Sequence, residues 1–228
     1  TWNLKKRTCP LCHRDSQYYV LGSYGGYVHY RDSRFELVEF PHDEELALYT
    51  CIHCGYSVFM EDFSTKLKRK IQKKLRTVLA DFRFPRKVEN YARIPISERL
   101  ELAEYCYAAG VSCDCAPFWI WFYPIKAYHV AKADKAEEAR NIRIKTLGLV
   151  ESALLRPKNQ GIQKELVMDA GILKYLTGDK EGALMLLNDA LSMTYNHREL
   201  SMENNDKYNR YLAEFIGEYL QKISKKSQ

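Results

Sequence analysis

The stretch Tyr49–Phe63, YTCIHCGYSVFMEDF, sets Cys51 and Cys54 in a CxxC turn with Gly55 directly after it. Such a turn is half of a metal site, a redox dithiol, or a pair of buried thiols. A second pair decides between them, and the chain has one: Cys9-Pro10-Leu11-Cys12, separated from Cys51 by 38 residues. Zinc takes four thiolates at the corners of a tetrahedron, with metal–sulfur bonds of about 2.3 Å, and each CxxC turn supplies two of them. Glycine after the second cysteine gives the positive φ that closes such a turn cheaply. The pattern predicts a Zn²⁺ site on Cys9, Cys12, Cys51 and Cys54. Four cysteine ligands leave no open position, so the metal reads as structural. A thioredoxin-like redox site wants a single CxxC in a βαβ setting, which the pattern lacks. The ligand types alone leave an iron–sulfur cluster open. His13 and His53 stand beside the cysteines, as neighbours of the site or as substitutes for a ligand.

Around the two pairs the chain reads as β-rich from 8 to 63. YYVLGSYGGYVHYRDSRFELVEF carries aromatic and β-branched residues about a Gly cluster, Gly22 to Gly26, a hairpin signal. A unit of this size holds too small a core to stand without a staple, and metal binding becomes part of its folding energy. The period changes after Ser64. Leu67, Ile71, Leu75, Val78, Leu79 and Phe82 fall on one face of a helix that ends before Pro85.

From Ser97 onward the chain reads as helix, with Ser97 as N-cap and Gly110 as a stop. Pro117 opens the next helix. Further helices are expected over about 134–155, 162–177, 180–195 and 205–223. The expected class is therefore α+β: a zinc-ribbon-like β unit over 1–63, a basic amphipathic helix and connection over 64–96, and an all-α domain over 97–228.

The opening residues resemble a known family. CPLC near the start, RDS in the middle and LYTCIHCGYSVFMEDF before a helical half are similar to the bacterial family catalogued as domain of unknown function 2225. The resemblance spans most of the chain, and its most specific block is Tyr49–Phe63. It implies a cytoplasmic zinc-binding protein with a tetratricopeptide-like helical half, and it brings no activity with it. By position, Cys9, Cys12, Cys51 and Cys54 match the metal ligands. Two places depart from the family pattern: His13 replaces the usual glycine after the first pair, and FPHDEELAL replaces an Asn-Pro-containing segment.

Tetratricopeptide repeats place small residues where two helices press together. Gly171, Ala183 and Ala190 have the spacing of repeat positions 8, 20 and 27, Leu187 fills position 24, and Gly178-Asp179 marks the turn. Val167 and Lys174 replace the usual aromatics at positions 4 and 11. A degenerate earlier unit runs through Ala127, Ala139, Arg143 and Thr146. The plainer alternative is a helical bundle with alanines at close contacts. Stacked helix pairs present surfaces suited to a protein partner. In PFWIWFY, Trp119 and Trp121 lie about 200° apart on a helix and cannot share a face, so one of them is expected to face a groove or the zinc unit, as a docking contact between the halves or a partner hot spot.

Residues 1–96 hold 17 Lys+Arg against 11 Asp+Glu, while the remainder balances at 18 each, so the whole excess of +6 sits in the first part. Much of it lies in STKLKRKIQKKLRTV: Lys66, Lys68, Arg69, Lys70, Lys73, Lys74 and Arg76, with no acid. Charge runs are commonly solvated faces; the functional reading is nucleic-acid phosphate or an anionic membrane surface. No phosphate-loop, dinucleotide, zinc-protease or hydrolase motif occurs, and none of the six histidines is placed by a motif, so the chain reads as non-enzymatic. The leading expectation is an adaptor that binds a protein partner through its helical half; a nucleic-acid-binding zinc-ribbon protein is the alternative. No apolar run is long enough to cross a membrane. The start TWNLKKRTCP carries no leader and reads as processed or trimmed. Seven cysteines, an odd number, suit reduced thiols in a cytoplasm better than a disulfide framework. Cys106, Cys113 and Cys115 fall outside the two pairs; Cys113-Asp114-Cys115 is a CxC that can bind a metal or close a strained disulfide, and the leading reading is unpaired structural thiols.

Overall fold

The computed structural model describes residues 2–22, 44–80, 82, 88–112, 115–156 and 161–225. The Gly22–Gly26 hairpin signal runs into residues outside this set, as do Pro85 and Cys113. The chain divides into two compact units, Thr1–Phe118 and Trp119–Gln228.

The first unit opens with β1 (Trp2–Thr8) paired antiparallel to β2 (Asp15–Leu21), Trp2 opposite Leu21 and Thr8 opposite Asp15. β1 escaped the sequence reading because it is solvated: Asn3 to Lys6 are all exposed, which leaves no apolar alternation to detect. A short helix, α1 (Glu44–Ala47), leads into β3 (Leu48–Thr50), which pairs antiparallel with β4 (Ser57–Phe59). α2 (Met60–Phe63) and α3 (Arg69–Val78) follow. A 3₁₀ turn at Tyr91–Arg93 precedes α4 (Ile96–Ala108). Ser97 lies inside the first turn of α4 rather than capping it; Pro95 takes the cap position and its carbonyl accepts from the Arg99 N–H. α3 is shorter than its period suggests: it ends at Val78, which is 45% exposed, and its C-cap Leu79 is buried.

The core of this unit is built from rings. Tyr18 lies 4.8 Å from Tyr49, 4.7 Å from Phe63 and 5.1 Å from Tyr91, and all four are buried. Buried tyrosines need partners for their hydroxyls. Tyr49 donates to the Tyr19 carbonyl, and Tyr91 donates to the Leu46 carbonyl. Arg99 of α4 is also inside, 1% exposed. Its Nε donates to the Ile94 carbonyl at 3.0 Å, and one terminal nitrogen donates to the Glu45 and Leu48 carbonyls at 2.6 and 2.9 Å. Ser57 Oγ donates to the Arg99 carbonyl at 2.9 Å, which leaves its lone pairs to accept from Thr50 across the strand pair. Tyr107 accepts from the Phe59 N–H and donates to Asp62. These long-range bonds carry α4 into the first unit. The division expected at Ser97 from helical periodicity therefore falls about one helix later, at Phe118.

α5 (Ala116–Lys132) contains that division, and its later part begins the second unit. Within it Trp119 is buried and stacks on Tyr123 at 5.0 Å, while Trp121 is 37% exposed. α6 (Ala136–Leu154), α7 (Gln163–Thr177), α8 (Lys180–Ser192) and α9 (Met202–Lys225) complete it. α7 packs against α6, α8 and α9. The turn between α7 and α8 is made by two residues. Gly178 has φ 101°; its N–H donates to the Tyr175 carbonyl and the next N–H, from Asp179, to Lys174, which closes the carbonyl end of α7. Asp179 then caps α8 by accepting from the Gly182 N–H at 2.8 Å. So tight a turn lays the helices side by side. A Cβ on Gly171 would stand 2.9 Å from Leu187 Cγ, and Ala183, Leu187 and Ala190 are fully buried. Two asparagines of α9 hold the loop before it: Asn209 bonds both the N–H and the carbonyl of Tyr195, and Asn205 does the same for His197.

Candidate metal centre

Each cysteine pair sits at the tip of a strand pair. CPLC joins β1 to β2, and CIHC joins β3 to β4. The two turns have the same bonding. Cys9 N–H donates to the Arg14 carbonyl and His13 N–H returns to the Cys9 carbonyl; Cys51 N–H donates to Tyr56 and Gly55 N–H returns to Cys51. His13 takes φ 59° and Gly55 takes φ 74°, so the histidine adopts the left-handed conformation that glycine supplies in the other turn. A histidine in place of glycine therefore leaves this turn intact.

The four sulfurs converge. Cys9 and Cys54 lie 3.8 Å apart, Cys12 and Cys51 lie 3.6 Å apart, and all four are within 4.8 Å of one another. A tetrahedron of thiolates about 2.3 Å from one ion has edges of about 3.8 Å, so the residues fit a four-thiolate metal site. Cys9 and Cys51 are buried, Cys12 and Cys54 half-buried. The Leu11 N–H points at Cys9 Sγ at 3.4 Å, the type of bond that spreads thiolate charge. His13 and His53 are exposed and stand outside this set.

Four thiols packed this closely cannot all ionise without a cation. Within the cluster the Cys51 pKa is lowered, first by the Cys54 thiol, then by the Cys9 thiol, against its burial. Cys54 and Cys9 are pushed far up in turn, each chiefly through its hydrogen bond to Cys51. One divalent ion bound here would replace the protons that these sulfurs share. Tyr18 and Tyr56 lie close by with buried hydroxyls. Both have raised pKa values, from burial first; the charges of Cys51 and Cys9 act next on Tyr18, and those of Cys106 and Cys9 on Tyr56. The tyrosines therefore stay neutral.

Cys106 is buried, free and pushed up to about 12 by burial, with the Ser57 N–H on its sulfur. Cys115 is disulfide-bonded, the alternative to the unpaired thiol expected there.

All seven cations of the basic run are exposed: Lys66, Lys68, Arg69, Lys70, Lys73, Lys74 and Arg76. Lys74 is already used, since its Nζ donates to the Ala108 carbonyl at 2.6 Å, at the C-terminal end of α4. The side chains of the other six have no hydrogen-bond or ion-pair partner among the described residues. Arg76 lines a concavity of about 330 Å³ together with Leu11, Cys12, Cys54 and Leu79, so the run reaches the cysteine site. Neither that contact nor the burial of Arg99 has a local sequence signal; both are made by residues far apart in the chain.

No family model matches the chain, and no curated protein or solved structure is significantly similar to it. Among the described residues no helix is long and apolar enough to cross a membrane.

Proposed function

We propose that this protein is a non-enzymatic, zinc-stapled adaptor whose helical unit binds a protein partner. The observation that carries the reading is the close packing of α7 on α8, where Gly171 admits Leu187 and the paired helices continue to α6 and α9. That is the contact a tetratricopeptide-like pair makes through the same repeat positions. The four-cysteine site supports a structural metal rather than a reactive one, because thiolates fill every corner of the tetrahedron. Zinc suits it best among divalent ions, being content with tetrahedral thiolate ligands and inert to redox change. Sulfurs this near one another favour a single ion over an iron–sulfur cluster. On this account the first unit supplies a rigid, metal-held head, the second supplies the partner surface, and the protein works in the cytoplasm.

The test is capture by the immobilised, zinc-loaded chain from native extract, with and without nuclease, read by mass spectrometry. Met185 is 60% exposed on α8 and serves as the test position. A stoichiometric protein partner that survives nuclease and is lost with Met185→Glu supports the adaptor reading. Partners that vanish with nuclease, or that ignore changes on the exposed helix faces, overturn it.

A further inference from the structure

We infer that the exposed face of α3 is a docking surface for duplex nucleic acid, held through its phosphates without regard to sequence. At about 100° per residue, Arg69, Lys70, Lys73, Lys74 and Arg76 cover an arc of about 160°. Leu75 fills the buried side, and no acid interrupts the arc. Apart from Lys74, every one of these side chains lacks a hydrogen-bond or ion-pair partner among the described residues. The arc frames an open concavity of about 670 Å³ lined by Arg69, Gln72, Lys73, Arg76, Thr77 and Ala80; Gln72 and Thr77 already donate to the Leu67 and Lys73 carbonyls, so the cations supply the phosphate contacts.

The placement works against the helix itself. Lys68 stands at the N-cap, with Arg69 and Lys70 in the first turn, where the helix dipole favours acids, and the turn has no acid and no side-chain cap. Arg69 with Lys73, and Lys70 with Lys74, are like-charged neighbours one turn apart, which is also destabilising. A face kept merely wet would gain by alternating its charges. An anionic partner turns the same arrangement into a favourable one. The chemistry selects a polyphosphate over a lipid surface, because an interfacial helix needs a broad apolar flank beside its cations; here Leu67, Leu75 and Leu79 are buried, which leaves Val78 and part of Ile71 at the surface. Phosphate contact rather than base readout follows from the face itself: it presents cations, Gln72 and Thr77, and no aromatic ring. The claim is independent of the adaptor reading, which concerns the other unit.

The experiment uses the full, zinc-loaded chain and a labelled random-sequence DNA duplex, followed by fluorescence anisotropy over a salt series. Three phosphate contacts predict a log–log slope of about −2.7, or a loss of about 40-fold in affinity from about 50 to about 200 mM salt. The variant Arg69→Gln/Lys73→Gln/Arg76→Gln should flatten the slope by about 0.9 for each charge removed and bind at least about tenfold more weakly at low salt. Arg69→Gln/Lys73→Gln, which leaves Arg76 beside the cysteines, should do two thirds of this with zinc content unchanged. Lys135→Gln/Lys207→Gln in the helical unit should change nothing. Absence of duplex binding at low salt, unchanged binding by either basic-face variant, or capture of phosphatidylserine vesicles in preference to the duplex would overturn the inference.

Discussion

His13 and Gly55 occupy the same place in the two cysteine turns, each one residue past the second cysteine, with φ 59° and 74°. A non-glycine residue in the left-handed region costs about 1–2 kcal/mol, and glycine returns roughly 0.5–1 kcal/mol of that through its larger unfolded-state entropy. His13→Gly should therefore be neutral or stabilising by up to about 1 kcal/mol. His13→Val should destabilise, since a β-branched residue tolerates this region worst. Gly55→Ala should be the most damaging of the three, because its Cβ would stand 2.4 Å from the Phe82 ring. Denaturant unfolding of the zinc-loaded protein ranks them. A His13→Val variant as stable as the parent would remove the equivalence of the two turns.

The shared protons of the cysteine cluster set a pH dependence. Cys9 and Cys54 have raised pKa values in the metal-free fold, so both hold protons through the neutral range and zinc must displace them. Binding calorimetry in buffers of different ionisation enthalpy should show release of at least those two protons. Zinc affinity should fall by at least about two decades per unit of pH on acidification, because at least two protons compete for one ion. Release of fewer than two would mean that the metal-free cluster is already ionised.

Loss of a ligand removes folding energy as well as the metal. Cys51→Ser should lower soluble yield and abolish stoichiometric zinc, since Cys51 lies 3.6 Å from Cys12 in the other turn and ties the two strand pairs together. A Cys51→Ser protein that folds normally with its zinc content intact would refute the structural role.

Arg99 should behave as a structural linchpin although it is charged. Arg99→Met keeps the apolar stem and leaves the Glu45, Leu48 and Ile94 carbonyls without their donor, at a cost of about 2–4 kcal/mol. Arg99→Lys should recover only part, because one ammonium cannot reach three carbonyls placed for a planar fork. Thermal unfolding of both variants tests this; wild-type stability in Arg99→Met would show that the three bonds contribute nothing.

The contact between Gly171 and Leu187 should appear as energetic coupling. Gly171→Ala is expected to cost about 1–3 kcal/mol by overpacking and Leu187→Ala about 2–5 kcal/mol by cavity formation. The double variant should cost less than the sum by about 1 kcal/mol or more, as the new methyl enters the space that Leu187 vacates. Strict additivity would show that the helices do not meet there.

Several features were legible without a structure because their causes are local. The two CxxC turns announce themselves by spacing, and a four-thiolate site follows from ligand chemistry. The α7–α8 turn is written in Gly178 and Asp179, one supplying positive φ and the other a capping carboxylate. The small residues at 171, 183 and 190 mark the close helix contact. Tertiary structure alone decided the rest. Whether a charge is buried depends on carbonyls more than forty residues away, so Arg99 looks like any surface arginine in the sequence while it organises the first unit. The chain boundary moved to Phe118 because α4 is bonded to the β4 strand, whereas periodicity records only that α4 is a helix. The cations at 69 to 76 read alike in one dimension, but folding commits Lys74 to the end of α4, sets Arg76 beside the cysteines and leaves the others exposed. Local chemistry is encoded in spacing; the partner each side chain meets is settled only when distant segments are brought together.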